Sequence, residues 1–364
     1  MTDTTNQKST HAASTHAEAA PADAPRRSLS RHLAARLVTS NVAWIFAVLL
    51  ALVVFFTAVE PNFANPVNIR SIAADNAALL VLAVGMTFVI VTAGIDLSVG
   101  SVLIFSGVVA AKTMLALGSD PTNPDAGAAE AGWGVVVVGV LAGLAAGLLW
   151  GVVNGLLVAK AKVPPLIATL GTLGMALGAS YLVTGGTDVR GVPRRLVSTL
   201  GFGLAFGVVP WLVVIAGVVA LVLGLVLAFT RFGRYTYAIG SNPEAARRVG
   251  IRVDRHLVKV YALMGALAGL AGVMSLAHFS TTTISGHSTD NLAAIAAVVL
   301  GGTSLFGGVG KVAGTVVGVL IPAVLQSGFV TIGVNPYWQN VAVGAVLIAA
   351  VYLDQVRRRA RERS

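Results

Sequence analysis

Five polar side chains stand inside long apolar stretches of the sequence: Asn76, Asp96, Lys112, Asn154 and Gln326. Such groups are costly in a membrane and usually face a cavity or a partner. No second acid or histidine accompanies Asp96, in "TAGIDLSVGS" (92–101), so a proton relay is disfavoured. We predict instead that Asp96 caps the following helix by accepting a hydrogen bond from the backbone N–H of Ser98 or Val99. Asn76 and Asn154 are equally suited to line a polar path and to hydrogen-bond a neighbouring helix.

The sequence contains no recognisable catalytic, nucleotide or metal site. The stretch "LFGGVGKV" (305–312) suggests a phosphate-binding loop, but Leu305 stands where the pattern needs glycine and Val312 where it needs serine or threonine. The six histidines are scattered, without a Ser–His–Asp grouping or a metal cluster. We therefore expect no enzyme activity and no cofactor on this chain, and any ATP that is used is bound by another chain.

The polar stretch "GSNPEAARRVGIRVDRH" (240–256) has the signals of a short helix. Asn242 is a favourable N-cap residue and Pro243 suits the first helical position. Gly250 can adopt the left-handed conformation that ends a helix. This spacing predicts about two helical turns over 243–249.

The side chains of this predicted helix allow two interpretations. Glu244 lies at the positive end of the helix dipole, and Arg247 and Arg248 lie at its negative end. A small apolar face consists of Ala245, Ala246 and Val249. The helix either lies on the lipid headgroups or fits as a ball joint into a cleft of a cytoplasmic partner.

The elements that must position these groups are membrane helices. Of the 364 residues, 56% are hydrophobic and only 11% are charged, which is more apolar surface than a water-soluble domain can bury. The apolar runs lie near 42–59, 77–93, 97–117, 134–159, 165–184, 208–229, 258–279, 292–306, 312–333 and 338–353. The run at 292–306 is short enough for a re-entrant or broken helix, and 93–98 is a possible hinge. We predict an all-α polytopic membrane protein with about ten transmembrane helices, including such broken segments.

The net charge of +10 reflects membrane anchoring and not a nucleic-acid-binding surface. Most of the 25 Lys and Arg residues fall in the N-terminal tail, the central loop and the C-terminal tail, which places both termini in the cytoplasm. The predicted organisation is a disordered cytoplasmic tail (1–40), a transmembrane domain (41–356) with a cytoplasmic loop (230–257), and a basic cytoplasmic tail (357–364).

Two glycine ladders have helical spacing. The first comprises Gly139, Gly143, Gly147, Gly151 and Gly155, and the second comprises Gly310, Gly314 and Gly318. A glycine at every fourth position lines one helix face with hydrogen atoms, so another helix can approach closely. Tight packing is the main prediction, and sliding of these smooth faces is a possible addition.

The loop "GGTDVRGVPRRL" (185–196) carries Arg190, Arg194 and Arg195 on the predicted outer side, against the positive-inside pattern. Three explanations stand open. Short loops tolerate exceptions, the local span count is wrong, or the arginines dock an external partner with acidic residues on its rim.

Four stretches together resemble one known family: "TAGIDLSVGS" (92–101), "VPPLIATLGTL" (163–173), "GRYTYAIGSNPEAARRVGI" (233–251) and "LAAIAAVVLGGTSLFGGVGKVAGTVVGVLI" (292–321). They are similar to the membrane permease subunits of bacterial ABC sugar importers of the ribose/xylose type, over about residues 40–356. The resemblance implies the ABC importer permease fold in the bacterial cytoplasmic (inner) membrane. It also implies a translocation pore for a pentose or related monosaccharide.

The resemblance further implies four partners: a cytoplasmic ABC ATPase that holds ATP and Mg, an extracytoplasmic sugar-binding protein, a second permease copy in a homodimer, and membrane lipid. In that family the central cytoplasmic loop docks on the ATPase. ATPase coupling is thereby assigned to Asn242, Glu244, Ala245, Ala246, Arg247, Arg248 and Gly250. The sequence departs from the family at Asn291, where members often have an acid, although Asp290 is adjacent. We group Asp290 with Arg190, Arg194 and Arg195 as candidates for docking the binding protein.

A weakly polar lining suits a sugar that must pass without strong binding. We predict that the translocation path lies beside Asn76, Asp96, Ser98, Asn154 and Thr169. A rival is a self-contained secondary transporter of a small polar solute, which needs a coupling-ion site, and Asp96 with Asn76 is its one candidate. A non-transporting membrane-assembly subunit would explain the glycine ladders but not the capped loop helix.

Overall fold

The computed structural model describes residues 41–119 and 127–335 and, beyond them, positions 338, 341, 344, 345, 348 and 352. The predicted tails 1–40 and 357–364 and most of the apolar run 338–353 lie outside the described residues. Within the described chain the structure is almost entirely helical, and strands are confined to one two-stranded hairpin.

The elements follow one another with short connections. The helices are α1 (Asn41–Val59), α2 (Pro66–Asp75), α3 (Ala77–Val91), α4 (Val99–Gly118), α5 (Trp133–Ala159), α6 (Pro165–Thr184), α7 (Trp211–Phe229), α8 (Arg231–Ser241), α9 (Pro243–Arg248), α10 (Val253–Phe279), α11 (Asp290–Leu300) and α12 (Val312–Thr331). A 3-10 turn (Pro61–Ala64), a one-turn helix (Arg194–Leu196) and a π turn (Val197–Gly201) join them. The hairpin consists of β1 (Leu204–Ala205) and β2 (Val209–Pro210), paired antiparallel.

The described residues contain fewer full spans than the ten apolar runs suggest. Helices α4, α5, α6, α7, α10 and α12 are long and apolar enough to cross a membrane, and the pair α2–α3, bent by 44°, makes a seventh candidate. The 11 residues of α11 rise only about 16 Å, so the run at 292–306 is a short helix and not a full span. The all-α polytopic fold is therefore confirmed, whereas about ten spans becomes six or seven in this part of the chain.

Two breaks in the helices meet inside the bundle. The first follows α3, where Ala93 has a φ of +61° and α4 begins only at Val99. The second separates α10 from α11, and Ser280 has a φ of +61° there. The side-chain amide of Asn291 donates to the Leu97 carbonyl at 3.1 Å and so joins the second break to the first.

The first glycine ladder packs α5 against two partners. Gly139 and Gly143 face α4, whereas a Cβ at Gly147 would lie 2.7 Å from the Gly269 Cα of α10. A Cβ at Gly151 would lie 2.9 Å from the Gly265 Cα, so glycine meets glycine across this interface. In the second ladder, Gly314 and Gly318 of α12 lie against backbone carbonyls at Gly301 and Ala297. The predicted tight packing is confirmed for these positions.

Candidate functional site

Asp96 begins a chain of hydrogen bonds that crosses three helices. Its Oδ1 accepts from the Ser98 backbone N–H at 2.9 Å and from the Ser98 hydroxyl at 2.6 Å. The Ser98 Oγ accepts from the Asn154 amide of α5 at 2.8 Å, and the Asn154 Oδ1 accepts from the Thr172 hydroxyl of α6 at 2.6 Å. The predicted bond to Ser98 N–H is confirmed, but the N-cap residue of α4 is Ser98 and not Asp96. We call Asp96, Ser98, Asn154 and Thr172 the buried network.

Thr169 adjoins the buried network, whereas Asn76 does not. The Thr169 hydroxyl donates to the Pro165 carbonyl at 2.8 Å and lies 3.4 Å from the Ile95 carbonyl, just before Asp96. Asn76 lies at the bend between α2 and α3, where its amide donates to the Ile72 carbonyl at 2.8 Å. The full length of α3, about 22 Å, separates it from the first break. The structure therefore brings Asp96, Ser98, Asn154 and Thr169 together and leaves Asn76 apart from them.

The buried network holds helices together and does not line an open passage in this structure. All four side chains are buried, and they satisfy one another across the first break, α5 and α6. The Asp96–Asn76 ion site required by a secondary transporter does not form, because the two residues lie at opposite ends of α3. Thr172 was missed, although its spacing from Thr169 places both hydroxyls on one face of α6.

We expect the substitution Asn154→Leu to lower the thermal stability of the protein. It removes the two hydrogen bonds that join α5 to α6 and to the first break, each worth about 0.5–1.5 kcal/mol. The Thr172 hydroxyl keeps backbone acceptors in its own helix, and the Ser98 hydroxyl still donates to Asp96. Thermal unfolding in detergent and transport per folded molecule measure the two consequences separately. Ser180→Ala is the control, because the Ser180 hydroxyl bonds only within its own helix. An unchanged melting temperature with reduced transport would instead favour a direct role in the path.

The predicted loop helix is present as α9. The Asn242 Oδ1 accepts from the Ala245 backbone N–H at 2.9 Å, and Pro243 occupies the first helical position. Gly250 has a φ of +85° beyond the helix end, as predicted for a glycine terminator. Glu244 lies in the first turn and Arg247 and Arg248 lie in the last.

The apolar side chains of α9 do not form one face, which corrects the sequence prediction. Ala246 is buried against Ile239 and Val253. Ala245 is exposed, and Val249 is 77% exposed. The helix is therefore anchored through Ala246, and Glu244 and Val249 remain exposed.

Side-chain contacts connect the loop 230–257 with the rest of the protein. The Asp254 Oδ1 accepts from Lys162 Nζ at 2.8 Å and from Arg247 Nη2 at 3.2 Å, which joins α9 to the connection between α5 and α6. The Tyr237 hydroxyl of α8 donates to the Gly310 carbonyl at 2.6 Å. Lys162 and Asp254 were missed because their pairing spans 92 residues of sequence.

The glycines of "LFGGVGKV" serve packing beside this loop. Gly308 has a φ of +74°, and its N–H donates to the Val91 carbonyl at 2.9 Å. A Cβ at Gly308 would lie 2.6 Å from the Ser241 hydroxyl of α8. These glycines therefore let the chain pass closely between α3 and α8.

The arginines of the loop 185–196 are exposed, whereas hydrogen bonds fix the centre of the loop to the rest of the protein. Arg190, Arg194 and Arg195 are exposed, and Arg194 lies 3.4 Å from the Glu130 carboxylate in a solvent-exposed pair. Asp188 accepts from the Ile284 backbone N–H at 2.9 Å, and the Val189 N–H donates to the Thr282 hydroxyl at 2.8 Å. The loop thus contacts the second break directly.

Asp290, a candidate for docking the binding protein, has a side chain that is 20% exposed and pairs with His287. Its Oδ2 lies 2.7 Å from His287 Nδ1, and His287 Nε2 lies 2.6 Å from the Ser275 hydroxyl of α10. The structure therefore forms a Ser–His–Asp chain that the sequence did not reveal. Ser275 is only 4% exposed, so a substrate has no access to its Oγ, and the chain of bonds fastens the second break to α10.

The described residues contain no group of three or more His, Cys, Asp or Glu side chains placed to hold a metal ion. Residues 68–351 match a family described as the permease component of the branched-chain amino acid transport system. The chain belongs to this permease family. The permease is a membrane transport component and not an enzyme, and its apolar helices make it a multi-pass protein of the inner membrane.

Three relatives illustrate the similarity. The permease is 38% identical to the ribose import permease protein RbsC of Escherichia coli (strain K12) over 85% of this chain and 92% of the relative. It is 38% identical to RbsC of Bacillus subtilis (strain 168), over 85% and 91%. It is 35% identical to the galactose/methyl galactoside import permease protein MglC of Haemophilus influenzae, over 86% and 94%. No solved structure matches the chain.

Proposed function

We propose that this permease is the translocation pore subunit of an ATP-driven importer for a monosaccharide, a pentose or related sugar. The observation that carries the proposal is the similarity, over 85% of the chain, to a ribose import permease. Relatives named for galactose and fructose import support the same substrate class. The capped helix α9, with exposed Glu244 and Val249, supports a docking role for the loop 230–257.

The proposed assembly has two further kinds of chain and a second copy of the permease. A cytoplasmic ABC ATPase holds ATP and Mg and contacts α9, and an external sugar-binding protein contacts the loop 185–196. A second permease copy completes the pore as a homodimer. Both termini and the loop 230–257 face the cytoplasm, as the positive-inside distribution of Lys and Arg favours.

Uptake into proteoliposomes tests the proposal. The permease is reconstituted with a candidate ATPase, and labelled ribose, xylose and galactose are supplied with their binding proteins. We expect uptake that requires ATP, the ATPase and a binding protein together. Uptake by the permease alone, driven by an ion gradient, would contradict the proposal and favour a secondary transporter.

Charge reversal of Arg194 and Arg195 to Glu is expected to slow capture of the loaded binding protein. Electrostatic steering acts mainly on the association rate and weakens as salt screens it, with a Debye length of about 8 Å at physiological ionic strength. The half-saturating concentration of binding protein should rise and its salt dependence should flatten, with little change in the maximal ATPase rate. Stopped-flow association at several salt concentrations measures this.

The neutral variant Arg194→Gln/Arg195→Gln is the matched control and should show an intermediate rate. Unchanged association at low salt in the Glu variant would reject docking at this loop. Labelling of these positions from the cytoplasmic side would reject the proposed orientation.

A further inference from the structure

The hairpin β1–β2 presents an aromatic residue in an unfavourable backbone conformation. The Val208 N–H donates to the Ala205 carbonyl at 3.1 Å and closes a turn whose central residues, Phe206 and Gly207, have φ values of +53° and +72°. Hairpin turns with two positive φ angles favour Asn, Asp and Gly, because a Cβ crowds the backbone there. A phenylalanine at the first of these positions is not explained by the turn itself.

The strands of the hairpin are partly buried, whereas its turn is exposed. Ala205 and Pro210 are buried against the protein. In the turn Phe206 is 98% exposed and Val208 is 55% exposed. The tip therefore offers an aromatic ring and an aliphatic side chain to its surroundings.

The base of the hairpin is held firmly, so the outward position of the tip is fixed by the fold. The Trp211 N–H donates to the Gly203 carbonyl at 3.1 Å, and the Phe202 N–H donates to the Val197 carbonyl at 3.0 Å. Gly201 lies directly against the Ala277 carbonyl of α10, where a Cβ would not fit. The tip is thus presented on a rigid support.

The surroundings of the tip are apolar along the chain. The segment 196–230 contains no Asp, Glu, Lys, Arg or His. From the hairpin, α7 runs 19 residues to the loop 230–257, so the hairpin lies at the opposite end of a span. The outward residues of α7 include Leu221, which is 63% exposed, and only a small part of this helix is buried in the protein.

We propose that the hairpin tip, formed by Phe206 and Val208, inserts into the lipid leaflet at the end of the bundle opposite the loop 230–257. Aromatic side chains are favoured where the hydrocarbon core meets the headgroups. The tip adjoins α7, whose surface is largely exposed and apolar, and the segment 196–230 to which both belong carries no charged residue. Insertion anchors the connection between α6 and α7 at a fixed depth in the membrane. This role is independent of the transported substrate.

Spin labelling tests the insertion directly. The chain has no cysteine, so Phe206→Cys alone places a nitroxide label at the tip. The full chain is reconstituted in nanodiscs of phosphatidylcholine and phosphatidylglycerol, and collision of the label with oxygen and with a water-soluble nickel chelate is measured. Leu221→Cys is the lipid-facing control, and Val249→Cys on α9 is the water-facing control. We expect the oxygen-to-nickel ratio at position 206 to be severalfold higher than at position 249.

Three results would overturn the proposal. A ratio at position 206 equal to that at 249 would place the tip in water. Low collision with both reagents would show that protein covers the tip, and spin–spin broadening would identify that protein as a second copy. A label at Val208→Cys should lose its lipid-like ratio when Phe206→Asn is added, because asparagine suits the turn but not the membrane. If Phe206→Asn leaves the oxygen-to-nickel ratio of the label at position 208 unchanged, Phe206 is not the anchor.

Discussion

The substitution Gly151→Leu is expected to prevent stable packing of α5 against α10. Gly151 lies against the Tyr261 carbonyl, and a Cβ there would be 2.9 Å from both the Cα and the backbone nitrogen of Gly265. Backbone atoms cannot rotate away as a side chain can, so the helices must separate along the interface. The loss of stability is expected to be at least as large as the ~1–3 kcal/mol that is typical of overpacked cores. Expression yield, monodispersity and melting temperature in detergent measure the effect.

Gly217→Leu on α7 is the matched control. Nothing lies within 4 Å of a Cβ built at Gly217, and this residue is exposed. The same change of size should therefore leave folding intact at that position. A normal melting temperature for Gly151→Leu would show that the interface between α5 and α10 is much looser than the structure indicates.

The substitutions Glu244→Arg and Val249→Asp are expected to abolish coupled uptake while the permease remains folded. Glu244→Arg reverses a favourable dipole interaction of about 0.3–1 kcal/mol in the exposed helix and alters the surface that we propose contacts the ATPase. Val249→Asp places a charge on an apolar side chain that directly follows α9 and is 77% exposed. Replacement of an interface residue that fills a partner's pocket typically weakens binding by about 2 kcal/mol or more. Co-purification with the ATPase and ATP-dependent uptake are the measurements.

Two further variants separate docking from helix integrity. Asn242→Ser retains a capping oxygen and should preserve uptake. Gly250→Val strains the helix end, because Gly250 has a φ of +85°, and should weaken ATPase association although no neighbour lies within 4 Å of its Cβ. Wild-type association in both Glu244→Arg and Val249→Asp would show that α9 is not the coupling element.

Residues close together in sequence were predictable because their interactions are local. The caps of α9, Asn242 and Gly250, lie within nine residues of each other and act on backbone groups of the same short helix. The bond from Ser98 N–H to Asp96 likewise spans two residues. The lengths of α5, α6 and α12 follow from continuous apolar runs, because a bilayer imposes a minimum helix length.

The set of residues that meet in each candidate site was harder to predict from the sequence, because segments far apart in the chain contribute to it. Asn154 meets Ser98 across 56 residues, and Asp254 meets Lys162 across 92. Neither pairing leaves a mark in a single sequence, since each depends on the angle at which whole helices dock. For the same reason the sequence does not show that Asn76 lies apart from the buried network, at the start of α3.

The sequence by itself determined the membrane class of this permease, most of its helix boundaries, its capped loop helix and the glycine positions where helices meet. Only the tertiary structure decided that Gly139 and Gly143 face α4 while Gly147 and Gly151 face α10. It also decided that Val249 points outward and that Ser275, His287 and Asp290 form one chain of hydrogen bonds. Periodicity fixes which residues share a helix face, but the neighbour of that face is selected by close packing among all the helices together.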